Sequence, residues 1–194
     1  PRHGLFPVAP KNTYNKIDKV LVIGQLDSAT IDLYFRSRAN ELANYCEYDS
    51  RNLSDFSALA SQLSANTSLV LVRDVPVALL RFLAKHKNNV ASIVWFIDDD
   101  IPAIATDSTL PKAYRKRLAA WYKKAYPYLK LLCDRVWVST PYLSQKYALP
   151  DNSIFTPIEP VKNSIDVVRC FYHGSSSHTH AWAFIVKFIH LAQL

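Results

Sequence analysis

Short apolar runs alternate with amphipathic stretches along most of the chain. Strands are predicted near 19–24, 44–48, 68–73, 91–97 and 135–139, and the runs at 19–24, 68–73 and 91–97 are largely apolar. Strands that are apolar on both sides are typical of parallel sheets covered on both faces. The stretches between them place hydrophobic residues at helical spacing. The pattern predicts an α/β fold, with a Rossmann-like, open, mostly parallel sheet and helices on both faces.

For two of the predicted helices, the sequence also predicts the length or an interruption. Residues 28–43 have helical spacing throughout, which predicts one helix. The longest amphipathic stretch, near 112–132, contains Pro127, which we expect to kink the helix or split it in two. A connection rich in proline then precedes a sixth strand and a last helix. We therefore expect one domain over residues 16–159 and the beginning of a second Rossmann-like domain over residues 160–194.

Composition supports a folded protein in a reducing compartment. Of the 194 residues, 49% are hydrophobic and 20% are charged, which is typical of globular proteins. Three widely separated cysteines include no Cys-x-x-Cys pair, so neither a disulfide framework nor a zinc ribbon is predicted. We expect a cytoplasmic location. The chain contains no methionine, and its last residues still follow an apolar helical pattern, so we expect a piece of a longer protein.

All of the net charge of +7 lies in residues 111–135, which contain eight basic side chains and one acidic one. Four of these lie on one helical face, opposite the apolar stripe: Lys112, Lys116, Lys123 and Lys130. Aromatic residues are interleaved with them, so the helix is a candidate for contact with an anionic membrane surface. The alternative is a solvated face over a packed stripe. No recognition module for nucleic acid accompanies the charge, so we expect no nucleic-acid partner.

Ligands of open parallel sheets bind beyond the carboxyl ends of the strands. The candidate cleft residues at those ends are Gly24, Gln25, Arg73 and Thr140, together with the consecutive acids Asp98, Asp99 and Asp100. Adjacent carboxylates of this kind are typical of a general base, a ligand of sugar hydroxyls or a magnesium site. The alternative is a solvated loop in which one aspartate caps a short helix that begins near Pro102.

A second candidate lies between the sixth predicted strand and the last helix. Small and polar residues there are suited to binding phosphate, namely His173, Gly174, Ser175, Ser176 and His178. The alternative is a serine-rich turn, and a metal site is less favoured because no local carboxylate or cysteine joins the histidines. With only three glycines, the chain has neither a G-x-G-x-x-G nor a Walker motif.

Three segments of the sequence resemble glycosyltransferases with two facing Rossmann-like domains, the GT-B type, of the bacterial surface-polysaccharide kind. The segments are WFIDDDIP, DRVWVSTPYLSQKY and RCFYHGSSSHTHAWAFIVKFI. The resemblance implies transfer of a sugar from a nucleotide-sugar to a glycan or a lipid-linked acceptor. It assigns Asp98, Asp99 and Asp100 to the interdomain cleft and the His173–His178 loop to the donor phosphates.

The resemblance also implies the surroundings of the site. It implies no metal and no cofactor besides the nucleotide-sugar substrate, and it places the basic helix near the inner face of the membrane. Because two complete domains need about twice this length, we expect the chain alone to be inactive.

Other functions stay open at this point. A magnesium-dependent phosphohydrolase would use Asp98 as its nucleophile, although that motif normally follows the first strand of its domain and not the fourth. A metal-dependent, single-domain transferase would use Asp98 and Asp100, but it leaves the serine and histidine loop unexplained. The remaining alternative is a non-catalytic α/β module that docks on a membrane or a protein partner.

Overall fold

Five parallel strands form one sheet in the computed structural model, which describes residues 16–52 and 56–157. The strand order is β2-β1-β3-β4-β5. The strands are β1 (Lys19–Gly24), β2 (Cys46–Asp49), β3 (Thr67–Val72), β4 (Ser92–Ile97) and β5 (Arg135–Val138). The predicted fold class is thus confirmed, with strand ends that differ from the predicted ones by two residues at most.

Helices cover both faces of this sheet. They are α1 (Ala29–Tyr34), α2 (Phe56–Ala60), α3 (Val77–His86), α4 (Ile101–Ile104), α5 (Lys112–Leu132) and α6 (Pro141–Lys146). Alternate residues of one strand point to opposite faces, so Leu21 and Ile23 pack in the core under α3 and α5, whereas Val22 packs in the core under α1. This arrangement explains why the helices are amphipathic and why the strands between them are mostly apolar.

The helix predicted over residues 28–43 is much shorter than expected. Ser28 caps the N-terminus of α1, which ends at Tyr34, and a 3-10 stretch over Arg36–Glu41 follows. Arg38 interrupts that stretch with φ −120° and ψ 22°. In this conformation its guanidinium lies 4.4 Å from the centre of the Phe155 ring. Packing against a distant segment therefore overrides the local helical pattern.

Pro127 does not split α5, which continues from Lys112 to Leu132 with the proline inside it. A proline removes one main-chain hydrogen bond of the helix. Ala125 and Leu129, on either side of the proline, are buried in the core and hold the helix against it. Leu118, nearer the start of the helix, is also buried. Of the two expected effects of Pro127, the division of the helix is therefore wrong, and a kink stays a prediction.

Residues 151–157 lie along the outer edge of β5. After α6 the chain makes a single 3-10 turn over Asp151–Ser153. Ile154 then forms a parallel bridge with Val138, and Phe155 N donates a hydrogen bond of 2.8 Å to Val138 O. The predicted sixth strand, the last helix and the domain boundary at 159/160 lie outside the described residues. Within 16–52 and 56–157, no helix combines the length and the hydropathy that a membrane span requires.

Candidate functional site

The candidate site lies where the order of the strands reverses. From β1 the chain proceeds to β2 on one side, whereas β3, β4 and β5 follow on the other side. Such a switch point opens a crevice at the carboxyl ends of the strands. Thr30 in the first turn of α1, Arg73 after β3 and the acids Asp98 and Asp99 after β4 meet there.

The backbone of Arg73 adopts a conformation that is unusual for a residue with a side chain, with φ +58°. A residue in this conformation costs about 1–3 kcal/mol and persists only where its surroundings fix it. Here the Arg73 N–H donates to Phe96 O at 2.9 Å, and the buried indole Nε1 of Trp95 donates to Arg73 O at 3.0 Å. The two contacts with β4 hold Arg73 in this conformation, from which its side chain reaches Asp98 and Asp99.

The guanidinium of Arg73 contacts two carboxylates unequally. Its Nη2 donates to Asp99 Oδ2 at 2.6 Å, whereas its Nε lies 3.5 Å from Asp98 Oδ1. The Asp99 side chain is 32% exposed, against 15% for Asp98. Burial alone would lower the pKa of Arg73, but the charges of Asp98 and Asp99 outweigh burial and raise it. The pair is therefore a firmly ionic contact whose Asp99 side remains open to solvent.

Asp98 is fixed on its other side by α1. The buried Thr30 Oγ1 donates to Asp98 Oδ2 at 2.7 Å, and Ser139 Oγ donates to the main-chain oxygen of Asp98 at 3.2 Å. Within the described part of the chain, Asp98 Oδ1 is buried and has no hydrogen-bond partner. A buried acceptor without a partner costs free energy, so the position of this oxygen calls for a functional reason.

Asp100 has a different environment from its two neighbours. Its Oδ1 accepts from Ala103 N at 3.1 Å and caps α4, and the Lys146 ammonium and the Tyr147 hydroxyl also contact the carboxylate. Burial opposes the charge of Asp100, but these three donors together lower its pKa. The alternative in which one aspartate of the triplet caps a helix holds for Asp100.

Two tyrosines lie beside the Arg73–Asp99 pair. Tyr34 packs its ring 4.9 Å from that of Phe96 and hydrogen-bonds through its hydroxyl with the side chain of Ser139. Burial raises the pKa of Tyr34, and it likewise raises the pKa of Tyr114 on α5. Neither tyrosine, nor Thr30, belongs to the predicted site, because nothing in the local sequence marks them as strand-end residues.

The other residues predicted for the cleft have contacts of their own. A Cβ added to Gly24 would lie 3.0 Å from Val72 Cβ and 3.1 Å from Ile31 Cδ1, so a glycine lets α1 pack closely on β1 and β3. Thr140 accepts from Leu143 N at 3.3 Å and caps α6. Gln25 is exposed. All three lie at the carboxyl edge as predicted, but in the described residues no hydrogen bond or ion pair joins them to Arg73.

The predicted phosphate-binding loop, His173 to His178, lies outside the described residues. In residues 16–52 and 56–157, no three His, Cys, Asp or Glu side chains form a group that could hold a metal ion. The four lysines of the predicted basic face of α5 are all exposed.

Comparisons with known proteins identify no family. No family model matches the chain, and no curated protein matches it. Among solved structures, the crystal structure of the ydeN gene product from B. subtilis is similar over 73% of this chain and 86% of that chain, with 15% sequence identity and a TM-score of 0.39. A match at this level carries no argument about function.

Proposed function

We propose that the described domain is the acceptor-side lobe of a GT-B type glycosyltransferase. The enzyme transfers a sugar from a nucleotide-sugar to a glycan or lipid-linked acceptor in cell-surface polysaccharide synthesis. The observation that carries the proposal is the Arg73–Asp99 ion pair, which lies at the switch point of a parallel sheet with Asp99 partly exposed. The resemblance of the WFIDDDIP segment to such enzymes gives the reaction class.

In this proposal Asp99 is the residue that contacts the acceptor. A carboxylate accepts hydrogen bonds from sugar hydroxyls and serves as a general base for a hydroxyl that attacks an electrophile. Asp99 is the most exposed acid of the triplet, at 32% against 15% for Asp98 and 18% for Asp100. Arg73 orients Asp99, Asp98 supports Arg73, and Asp100 connects the loop to α6.

The donor side of the proposal depends on the sequence pattern alone. The loop of His173, Gly174, Ser175, Ser176 and His178 would bind the phosphates of the nucleotide-sugar through main-chain N–H groups and imidazole donors. No cofactor besides this substrate is part of the proposal.

The proposal also places the exposed lysine face of α5 against an anionic membrane, which would make the protein peripheral on the inner face. Lys112, Lys116, Lys123 and Lys130 are exposed, while Leu118 and Leu129 on the opposite side of the helix are buried. Juxtamembrane lysines of this kind each contribute about 1 kcal/mol to binding of anionic lipid.

The metal-dependent alternatives require Asp98 and Asp100 to act together on one cation. In the structure these carboxylates serve different partners, since Asp98 accepts from Thr30 and Asp100 contacts Ala103, Lys146 and Tyr147. A cation shared by the two acids would have to displace Lys146. The contacts therefore support the proposal in which Asp99 acts without a metal.

The test is transfer of labelled sugar by the full-length protein, from a panel of UDP-, GDP- and CMP-sugars to extracted glycolipids and polysaccharide. Asp99→Asn should lower kcat by about 100-fold or more, because a general base contributes about 10²–10⁴ to the rate. The matched control is Asp32→Asn, which neutralises an exposed aspartate on α1 that pairs with Arg36. The control should transfer at the wild-type rate.

Three results would count against the proposal. Wild-type turnover in Asp99→Asn would overturn the assignment of the base. Loss of transfer in EDTA, with recovery on adding Mg²⁺, would favour the metal-dependent alternatives. Absence of transfer from every nucleotide-sugar in the panel would overturn the reaction class and favour the non-catalytic module.

A further inference from the structure

The two carboxylate oxygens of Asp98 differ in their hydrogen bonding. Thr30 holds Oδ2 at 2.7 Å, whereas Oδ1 is buried and, among the described residues, accepts no hydrogen bond. The nearest cationic nitrogen is Arg73 Nε at 3.5 Å, a distance beyond that of an ordinary N–H···O bond. A displacement of well under 1 Å would therefore give Asp98 Oδ1 a charged donor.

Arg73 is suited to such a displacement. Its backbone is fixed by Phe96 O and the Trp95 indole, so only the side chain needs to move. The guanidinium is a planar fork with several N–H donors, and it can lose one carboxylate while gaining another. The pairing seen in the structure, with Nη2 on Asp99 at 2.6 Å, leaves the Asp98 contact long.

We propose that Asp98 is a second hydrogen-bond acceptor for Arg73, to which the guanidinium moves when Asp99 becomes neutral. The inference rests on the proposed function and names Asp98, Thr30 and Arg73 as positioning residues. During transfer the acceptor O–H bond breaks and its proton goes to Asp99. The acceptor oxygen forms the new bond to the sugar carbon, and the bond from that carbon to the phosphate oxygen breaks, leaving its electron pair on the nucleotide. Asp99 then carries no charge, and Asp98 becomes the anionic partner of Arg73.

Other titratable groups near Asp99 do not replace Arg73 in this role. Tyr34 faces it from α1 and Tyr114 from α5, and burial raises the pKa of each, so both stay neutral while a carboxylate titrates. Asp74, which follows β3, is paired with Arg117 of α5 at 2.8 Å. When Asp99 loses its charge, Arg73 therefore shifts its hydrogen bond to Asp98.

A crystal structure of the full-length Asp99→Asn protein tests the inference, because the amide imitates the neutral acid. The distance from Arg73 Nε to Asp98 Oδ1 should fall from 3.5 Å to about 2.9 Å, the usual length of an N–H···O bond. The matched control is Asp100→Asn, which alters the neighbouring acid but leaves the Arg73–Asp99 pair. In the control the distance should stay at 3.5 Å. An unchanged distance in Asp99→Asn would overturn the inference.

Hydrogen exchange of the Arg73 Nε–H, measured by NMR, gives a second readout. Exchange in Asp99→Asn should be at least about tenfold slower than in the wild type, since a bond to a charged group is worth more than the 1.4 kcal/mol that corresponds to tenfold. Adding Thr30→Val should remove this protection, and adding Thr30→Ser, which keeps the hydroxyl, should retain it. If Asp99→Asn does not fold, Asp99→Ser, which also carries no charge, gives the same comparison.

These measurements separate the inference from the proposed function because they need no transfer. A short Arg73–Asp98 bond in an Asp99→Asn protein, combined with no sugar transfer by the wild type, supports the move of Arg73 to Asp98 and counts against the proposed reaction. If sugar transfer depends on Asp99 but Arg73 keeps its position in Asp99→Asn, the proposed move of Arg73 is overturned and the proposed function is not.

Discussion

Three consecutive aspartates have three different environments in this protein. Asp98 is mostly buried and held by Thr30, Asp99 is partly exposed on Arg73, and Asp100 caps α4 and contacts α6. Each turn of the backbone after β4 points the next carboxylate toward another element. The local sequence repeats one residue type, but the fold gives each copy a separate role.

The strand-end rule predicted the triplet and Arg73 but not their partners. Both lie at the carboxyl ends of apolar strands, which are visible in the sequence. Thr30 lies 68 residues from Asp98, and Lys146 lies 46 residues from Asp100. Contacts over such separations follow from how the helices pack on the sheet, so a pattern with a period of a few residues does not contain them.

Asp100→Asn should destabilise the domain at neutral pH and weaken its response to acid. The donors around Asp100 lower its pKa in the folded protein. The resulting stabilisation is present above the unfolded pKa, about 3.9, and is lost as the pH falls through the lower folded pKa. We expect Asp100→Asn to lower the free energy of unfolding by about 1–3 kcal/mol at pH 7. The difference from the wild type should shrink as the pH falls below about 4. Urea unfolding at several pH values measures both effects.

Asp151→Asn is the control for this prediction, since Asp151 is exposed and begins the last 3-10 turn. It should change the free energy of unfolding by no more than about 0.5 kcal/mol at either pH. A deficit in Asp100→Asn that is equally large at pH 7 and in acid would show that the charge of Asp100 does not stabilise the loop.

At the scale of elements, one aromatic side chain adds to the main-chain contacts with Val138 that attach the segment after α6 to the sheet. The ring of Phe155 stacks on Trp137 at 4.8 Å and on Phe35 at 5.3 Å. The guanidinium of Arg38 covers it at 4.4 Å. Phe155 therefore connects Trp137 of β5 with Phe35 and Arg38. The hydrophobic pattern of the sequence does not predict these contacts.

Phe155→Ala should loosen this segment, which keeps its main-chain contacts with Val138, and should destabilise the domain. Truncation of a buried phenylalanine costs about 3–5 kcal/mol, and we expect the lower end because Phe155 is partly buried. Unfolding in urea measures the loss, and the near-ultraviolet circular dichroism of Trp137 reports the missing ring. Phe155→Leu keeps the apolar volume and should lose about half as much. Equal losses in the two variants would show that the ring contacts account for the whole effect, whereas no loss in Phe155→Leu would show that ring stacking contributes nothing.

The same contacts explain why element types were easier to predict than helix ends. Strands β1, β3 and β4 are apolar enough to be identified alone, because both faces of the sheet are covered there. The end of α1 depends on Phe35 and on Arg38 meeting Phe155, about 120 residues away in sequence. The continuity of α5 through Pro127 likewise depends on Ala125 and Leu129 packing in the core. Tertiary packing decides both ends and interruptions.

At the scale of the whole described domain, the acidic candidate site and the lysine face of α5 lie on different parts of the surface. The acids of the candidate site lie at the carboxyl ends of the strands, whereas the lysines of α5 form an exposed face along one helix. Because α5 connects the end of β4 to the start of β5, it begins near the candidate site at Lys112 and runs back along the sheet. A membrane on this face would lie beside the opening of the site and not across it.

Replacing Lys112, Lys116, Lys123 and Lys130 by Gln should release the protein from vesicles that contain phosphatidylglycerol. Each lysine near an anionic surface contributes about 1 kcal/mol, so the fourfold variant should bind at least about 100-fold more weakly at low salt. Cosedimentation of the full-length protein with vesicles measures the change. Binding by the wild type should itself weaken as the salt concentration rises, because the charges are exposed.

Lys123 and Lys124 give the sharpest control, since they are adjacent, exposed and equally charged. They point about 100° apart around the helix, and only Lys123 belongs to the four-lysine face. Lys123→Gln should therefore weaken vesicle binding by about fivefold, while Lys124→Gln should have a clearly smaller effect. Equal weakening by the two variants would mean that total charge, and not this face of α5, attracts the vesicles. Binding that none of the substitutions changes would refute the membrane contact, and it would leave the assignment of Asp99 to be decided by transfer alone.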